Sequence, residues 1–148
     1  MPPGGDAIEE ISSGCLAVRV RMLGRAVTAV YERALASREL SVAQMNILVF
    51  VGKQGPCPPA VVGQMLQMER STVSRNLRPM LERGWLAAET HDAGHLREVR
   101  LTARGRKELE AALPAWREAQ AEAEKLLGAG GTQAVRTLGD RLWRGAAT

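Results

Sequence analysis

The sequence predicts a mostly α-helical fold carrying one small β-hairpin, and three observations point to it. Apolar residues recur at alternating spacings of three and four over most of the chain, as on one face of a helix. Aromatic residues are only 3%, so the 45% hydrophobic content is mainly Leu, Val, Met and Ala, which suit helix-on-helix packing. Strand-like patterning is confined to the region from Trp85 to Leu101. A length of 148 residues fits one domain, 1–148.

The first helix is expected over residues 8–37, where Leu16, Val20, Leu23, Val27, Val30 and Ala34 form a seam between charged positions. Such a seam needs a covering surface, from the chain itself or from a second copy. Ser41-Val-Ala-Gln44 reads as a capping box that starts a second helix, which ends at the breaker pair Gly55-Pro56. Pro58-Pro59 opens a short third helix through Val62, Met65 and Leu66. After a turn at 67–69, a fourth helix from Arg70 to Arg83 carries Val73, Leu77, Met80 and Leu81 on one face, with Gly84 as its left-handed cap.

Trp85 to Thr90 and Arg97 to Leu101 read as two strands joined by a turn containing Gly94. Thr102 then caps a long helix with Leu109, Leu113, Trp116, Ala123 and Leu127 on one stripe, which Pro114 is expected to kink. Gly128 to Gly131 breaks that helix, and Thr132 is expected to cap a last one bearing Val135, Leu138 and Leu142. The order is four helices, a hairpin and two helices.

Net charge is +4 with a pI near 9.7, a mild basic excess that alone argues weakly for a polyanionic partner. Met1 to Asp6 carries no positive charge ahead of an apolar run, and no membrane-length apolar stretch exists, so a cytoplasmic protein without a secretory signal is expected. Enzyme classes are disfavoured. There is no H-E-x-x-H, phosphate-binding loop or nucleophile elbow, and both histidines, His91 and His95, lie in the hairpin turn. No cofactor or metal is expected, because Cys15 and Cys57 have no ligand-like spacing.

Two short helices joined by a tight turn and followed by a hairpin form a winged helix-turn-helix, which lays its second helix in the major groove of duplex DNA. The fourth helix suits that role, since opposite its apolar face it presents Arg70, Ser71, Thr72, Ser74, Arg75 and Arg78. Hydroxyls can contact phosphates or bases, and guanidiniums can grip guanine O6 and N7 bidentately. An ordinary solvated helix face interleaves acids with its bases, yet Arg70 to Arg78 contains no Asp or Glu.

The chain resembles the MarR family of winged-helix regulators over nearly its whole length. The resemblance is carried by Cys15-Leu-Ala-Val-Arg-Val-Arg, Leu40-Ser-Val-Ala-Gln-Met-Asn-Ile-Leu, the run from Met68 through Gly84-Trp, and Leu101-Thr-Ala-Arg-Gly105. It implies a homodimer joined through helices at 8–37 and 103–146, with 41–101 as the DNA-binding lobe. It also implies a transcriptional repressor on a pseudo-palindromic operator, released by a phenolic or small aromatic-acid effector. Where members of the family carry Asp-x-Arg at the wing tip, this chain has Ala93 and His95, so His95 and Arg97 become the wing's candidate DNA contacts.

Other residues carry a plain reading beside a functional one. Cys15 lies where the organic-peroxide sensors of the family keep a reactive thiol, which makes a redox-sensing regulator the alternative function, although a structural cysteine is the default. Cys57, in a proline-rich loop, is expected to be exposed. Arg19 and Trp116 are candidates for the effector pocket, with Arg33 and Trp143 as further possibilities, against a charged helix flank and ordinary core as the plain readings.

Overall fold

Ser41 accepts from the Gln44 amide at 3.1 Å, and the Gln44 side chain accepts from the Ser41 amide at the same distance. The capping box therefore forms as the sequence required. It sets the start of the central helix in this computed structural model, which describes residues 5–147. Residues 1–4, on which the reading of the N-terminus partly rests, and residue 148 lie outside the described residues.

The helices are α1 (Ala7–Gly14), α2 (Leu16–Leu35), α3 (Val42–Gln54), α4 (Pro59–Leu66), α5 (Arg70–Glu82) and α6 (Ala103–Ala146). A 3-10 turn, Ala36–Arg38, follows α2, and strands β1 (Leu86–Thr90) and β2 (Leu96–Leu101) stand between α5 and α6. The strands pair antiparallel, Leu86 opposite Leu101 and Ala88 opposite Val99. Cys57 adds an isolated bridge to Val99, exchanging both backbone hydrogen bonds at 3.1 and 2.9 Å. The hairpin is thereby tied to the loop ahead of α4.

One core holds this lobe together. Leu35, Leu40, Ile47, Leu48, Val62, Leu77, Met80, Leu86 and Val99 are essentially inaccessible, and Ala112 of α6 closes the cluster. Burying each large aliphatic side chain contributes about 1.5–3 kcal/mol. Gly105 makes the junction of hairpin and α6 possible, since a Cβ there would lie 2.1 Å from the Trp85 carbonyl oxygen. Thr102 caps α6 by accepting from the Gly105 amide at 3.0 Å, and its hydroxyl donates back to the Gly84 carbonyl at 2.6 Å.

A second, smaller cluster joins α2 to α6, with Val30 against Ala119 and Ala123. Small residues on α6 let the two helices approach closely. The bidentate pair between Arg38 and Glu108, at 2.8 and 3.1 Å, pins the 3-10 turn to the same helix.

Several expectations need correction. The helix over 8–37 is interrupted at Cys15, whose extended backbone (φ −65°, ψ 114°) separates α1 from α2, and it ends in the 3-10 turn. Nothing in α1 is buried, so no packing force holds it in line with α2. At Pro114 the backbone of α6 stays helical, and the proline and Glu110, four residues before it, are both exposed. The break falls at Gly128 (φ 69°, ψ 172°), within the stretch expected.

Thr132 does not cap the last segment. Its hydroxyl instead donates to the Glu124 carbonyl at 3.4 Å, across the break. Leu113 faces solvent, and the buried stripe of α6 runs through Ala112, Ala119 and Ala123, with Leu109 and Trp116 half-buried. Cys57 is 4% exposed rather than open, and burial pushes its thiol pKa up. No single helix among the described residues is long and apolar enough to cross a membrane.

Candidate nucleic-acid interface

Helices α4 and α5 meet at a turn in which Gln67 takes a left-handed conformation (φ 55°) and the Met68 amide donates to the Gly63 carbonyl at 2.9 Å. Gly63 is buried at the crossing. A Cβ there would stand 2.9 Å from the Met68 carbonyl oxygen and 3.2 Å from Val73, so the two helices pack backbone to backbone. That contact fixes the angle at which α5 leaves the lobe.

Val73, Leu77 and Met80 bury one face of α5, and the opposite face turns outward with Arg70, Ser71, Ser74, Arg75 and Arg78 exposed. Thr72 is half-buried. Its hydroxyl accepts from Arg75 at 3.3 Å and its carbonyl accepts from Asn76 at 2.8 Å, so Thr72 orients its neighbours on α5 and lies outside the lining of the groove beside that helix. Arg78 has an exposed ion pair with Glu82 at 3.4 Å, one turn on, which is worth little in water. The acid-free run therefore extends to Arg78 but is followed at once by a carboxylate.

Glu69 stands at the N-cap of α5 without a side-chain cap bond, which leaves first-turn amides for an incoming anion. A groove of about 710 Å³ opens beside this end of the helix, between α4, α5 and the hairpin. Arg70 and Ser74 line it from α5, Arg97 from β2, and His91 and His95 from the turn. Val73, Leu77 and Leu96 form its apolar floor, and no carboxylate lines it.

Four of the expected DNA contacts, Arg70, Ser74, His95 and Arg97, thus share one groove. Arg75 and Arg78 lie on the exposed face of α5 outside it, and Ser71 is exposed at the helix start. The residue missed by sequence reasoning is His91. Its amide donates to the His95 carbonyl at 2.8 Å, and its carbonyl accepts from Gly94 at 2.8 Å, so the turn closes with both imidazoles at its mouth. The available signal was the four-residue spacing of two histidines across a glycine-bearing turn.

The expected effector residues are engaged elsewhere within the protomer. Arg19 donates to the carbonyls of Cys15 and Ser13, both at 2.7 Å, and of Ser12 at 3.3 Å, holding the C-terminal end of α1 against α2. Trp116 packs against the main core. Neither lines the groove at α5 or the shallow depression on α2 that includes Arg33. Arg33 forms an exposed pair with Glu122 at 2.9 Å, and Trp143 sits edge-on to Phe50 with ring centroids 5.9 Å apart. Cys15 is the half-exposed residue at the break between α1 and α2, while the only tyrosine, Tyr31, donates its hydroxyl to Gln120.

Among the described residues no cluster of His, Cys, Asp and Glu could hold a metal ion.

Comparison with known proteins bears on the fold that carries this groove. Residues 39–98, from the 3-10 turn's end through most of the hairpin, match the model of the MarR family. The fold is similar to a crystal structure of a probable transcriptional regulator from Pseudomonas aeruginosa, at 27% identity and TM-score 0.73, over 88% of this chain and 98% of that one. It is also similar to BpsR of Bordetella bronchiseptica, whose DNA binding is regulated by 6-hydroxynicotinic acid, at 21% identity and TM-score 0.74, over 95% and 99%. A variant of MarR from E. coli complexed with operator DNA shares the fold at 18% identity and TM-score 0.75, over 93% and 99%. No curated protein sequence matches the chain.

Proposed function

We infer that this chain, whose residues 39–98 match the MarR family model and whose fold is similar to that of known transcription regulators, is a MarR-family DNA-binding regulator that works as a homodimeric repressor in the cytoplasm. The observation that carries the DNA-binding reading is the carboxylate-free groove, where Arg70, Arg97 and two histidines converge beside the outward face of α5. On this reading α5 enters the major groove, Arg75 and Arg78 reach base edges or phosphates, and the hairpin lies against the adjoining backbone. The chain is a regulator rather than an enzyme.

The homodimer reading is supported by apolar surface that one copy leaves uncovered. Ile8 (76% exposed), Leu16 (75%), Val20 (66%) and Met22 (66%) belong to α1 and α2, and Leu138 (56%) and Leu142 (69%) to the end of α6. Apolar surface of that extent on helices from both ends of the chain is what a second copy would bury. Two copies would set their α5 helices about 34 Å apart, matching a pseudo-palindrome with half-sites one turn apart.

For release from DNA, we extend to this chain a small aromatic acid, the class to which the reported BpsR ligand belongs. Arg19, bonded to three backbone carbonyls, and Trp116, packed on the core, would each have to give up those contacts in part to meet such an effector. The reading is tested by fluorescence anisotropy on duplexes selected from a random pool, titrated with salt. Affinity should fall steeply with ionic strength, with a logarithmic slope of about −0.9 per phosphate contacted. Binding that is absent, or indifferent to salt, would remove the DNA-binding reading.

A further inference from the structure

Both histidines of the chain lie in one five-residue turn, and the structure aims both at the same groove as Arg70 and Arg97. Helix α4 carries no charged side chain, α5 presents Arg70, and β2 presents Arg97. The carboxylates nearby are Glu69, exposed at the N-cap of α5 between the lining residues Met68 and Arg70, Asp92, exposed in the turn and outside the lining, and Glu89 and Glu98, which oppose each other farther along the hairpin. The backbone bond between His91 and His95 holds the two side chains at a fixed separation along the strand ends.

An imidazole is the side chain that changes charge between about pH 5 and 8. No carboxylate lines the groove, and Arg70 and Arg97 set two guanidiniums on its wall beside the imidazoles, so an entering phosphate meets cationic groups. A nearby anion favours the protonated form of an imidazole. The groove is therefore built so that protonation and phosphate binding reinforce one another.

We propose that His91 and His95 form a proton-coupled clamp on the DNA backbone, so that this chain binds duplex DNA more tightly as the pH falls from about 8 to about 6. The inference rests on the DNA-binding reading and adds His91 to its contacts. The sign follows from linkage: a group that gains a proton on binding strengthens the complex as pH falls through its bound-state titration, and the gain levels off once the free form is also protonated. One histidine favoured by one unit in the complex corresponds to a tenfold gain in affinity.

The test is anisotropy with a fluorescein-labelled 30-base-pair mixed-sequence duplex from pH 8 to pH 6 at constant ionic strength. The expected result is at least a tenfold tightening for the unmodified chain. For the double variant His91→Asn, His95→Asn the curve should be flat, with binding at pH 6 at least tenfold weaker than that of the unmodified chain and a thermal midpoint near that of the unmodified chain. Calorimetry at pH 7 in two buffers of different ionisation enthalpy measures proton uptake on the unmodified chain directly, so the proposal does not depend on the variant folding.

A pH-independent affinity with intact salt dependence, zero proton uptake, or an unchanged pH slope in the double variant would each overturn the clamp while leaving DNA binding standing. Loss of salt-sensitive binding at every pH would overturn both.

Discussion

Glu124 and Arg136 stand on opposite sides of the Gly128 break and meet at 2.6 Å, Arg136 donating to the carboxylate oxygen. Gln120 donates to the same oxygen at 2.9 Å, and Tyr31 of α2 donates its hydroxyl to Gln120. One polar chain therefore links α2 to both arms of α6, and it fixes how far the second arm folds back.

That chain has a pH signature. The Gln120 hydrogen bond first, and the Arg136 cation with it, hold the Glu124 carboxyl below the usual glutamate range. A carboxyl depressed in the folded state contributes stability above its unfolded pKa, about 4.3, and loses that contribution as pH falls through the folded value. Glu124→Gln should therefore lower the thermal midpoint at pH 7, with the difference from the unmodified chain shrinking between pH 5 and pH 3. Circular dichroism melts across that range check it, and a gap that stays constant with pH would contradict the assignment.

Arg75 projects from α5 with only Thr72 to steady it. Arg75→Ala is expected to weaken binding to a selected duplex by about 1–3 kcal/mol and to relax base preference, without changing the melting midpoint. Competition against single-base variants of that duplex reads the preference. If the preference survives the substitution, Arg75 is not a base-reading residue.

Arg97 faces the groove from the wing and should act on backbone rather than bases. Its replacement by Ala should weaken binding to all duplexes alike and reduce the salt slope by about 1. A change in sequence preference instead would move Arg97 from the phosphate contacts to the base contacts.

Gly105 has no room for a methyl group, since the Trp85 carbonyl oxygen would lie 2.1 Å from it and Leu101 Cδ1 2.8 Å. Overpacking against backbone costs about 3 kcal/mol where the chain must shift, so Gly105→Ala should destabilise by about that amount. Urea denaturation measures it. A variant within about 0.5 kcal/mol of the unmodified chain would mean that the hairpin and α6 slide apart freely.

Cys57 is sealed beneath the hairpin, and its burial disfavours the thiolate. Alkylation followed by peptide-resolved mass spectrometry should leave Cys57 unmodified in the native protein and modify it fully in denaturant. Rapid native modification would show that the Cys57–Val99 bridge opens in solution.

The winged lobe was legible in the sequence because its signals are local. The Ser41–Gln44 box, the proline entry to α4 and the left-handed Gly84 each act within a few residues, and the structure realises all three. The break at Cys15 was hidden because Ile8, Ile11 and Cys15 keep helical spacing, so periodicity runs on where the backbone does not. Pro114 stays inside a continuous helix because a proline costs least on a side of the helix that water reaches. Of the site, the face of α5 could be read from charge alone, whereas His91 and the burial of Cys57 depend on which segments the fold brings beside the wing.

Helix α6 leaves the lobe at Thr102 and, beyond Gly128, comes back to it, with Trp143 against Phe50 and the Ala146 carbonyl accepting from Gln64 at 3.4 Å. The end of the chain thus folds back onto the lobe it left. Shortening the chain before Trp143 would strip the indole from Phe50 and open that edge of the core to water, so the last turn of α6 works as a cover sewn to the lobe it shields.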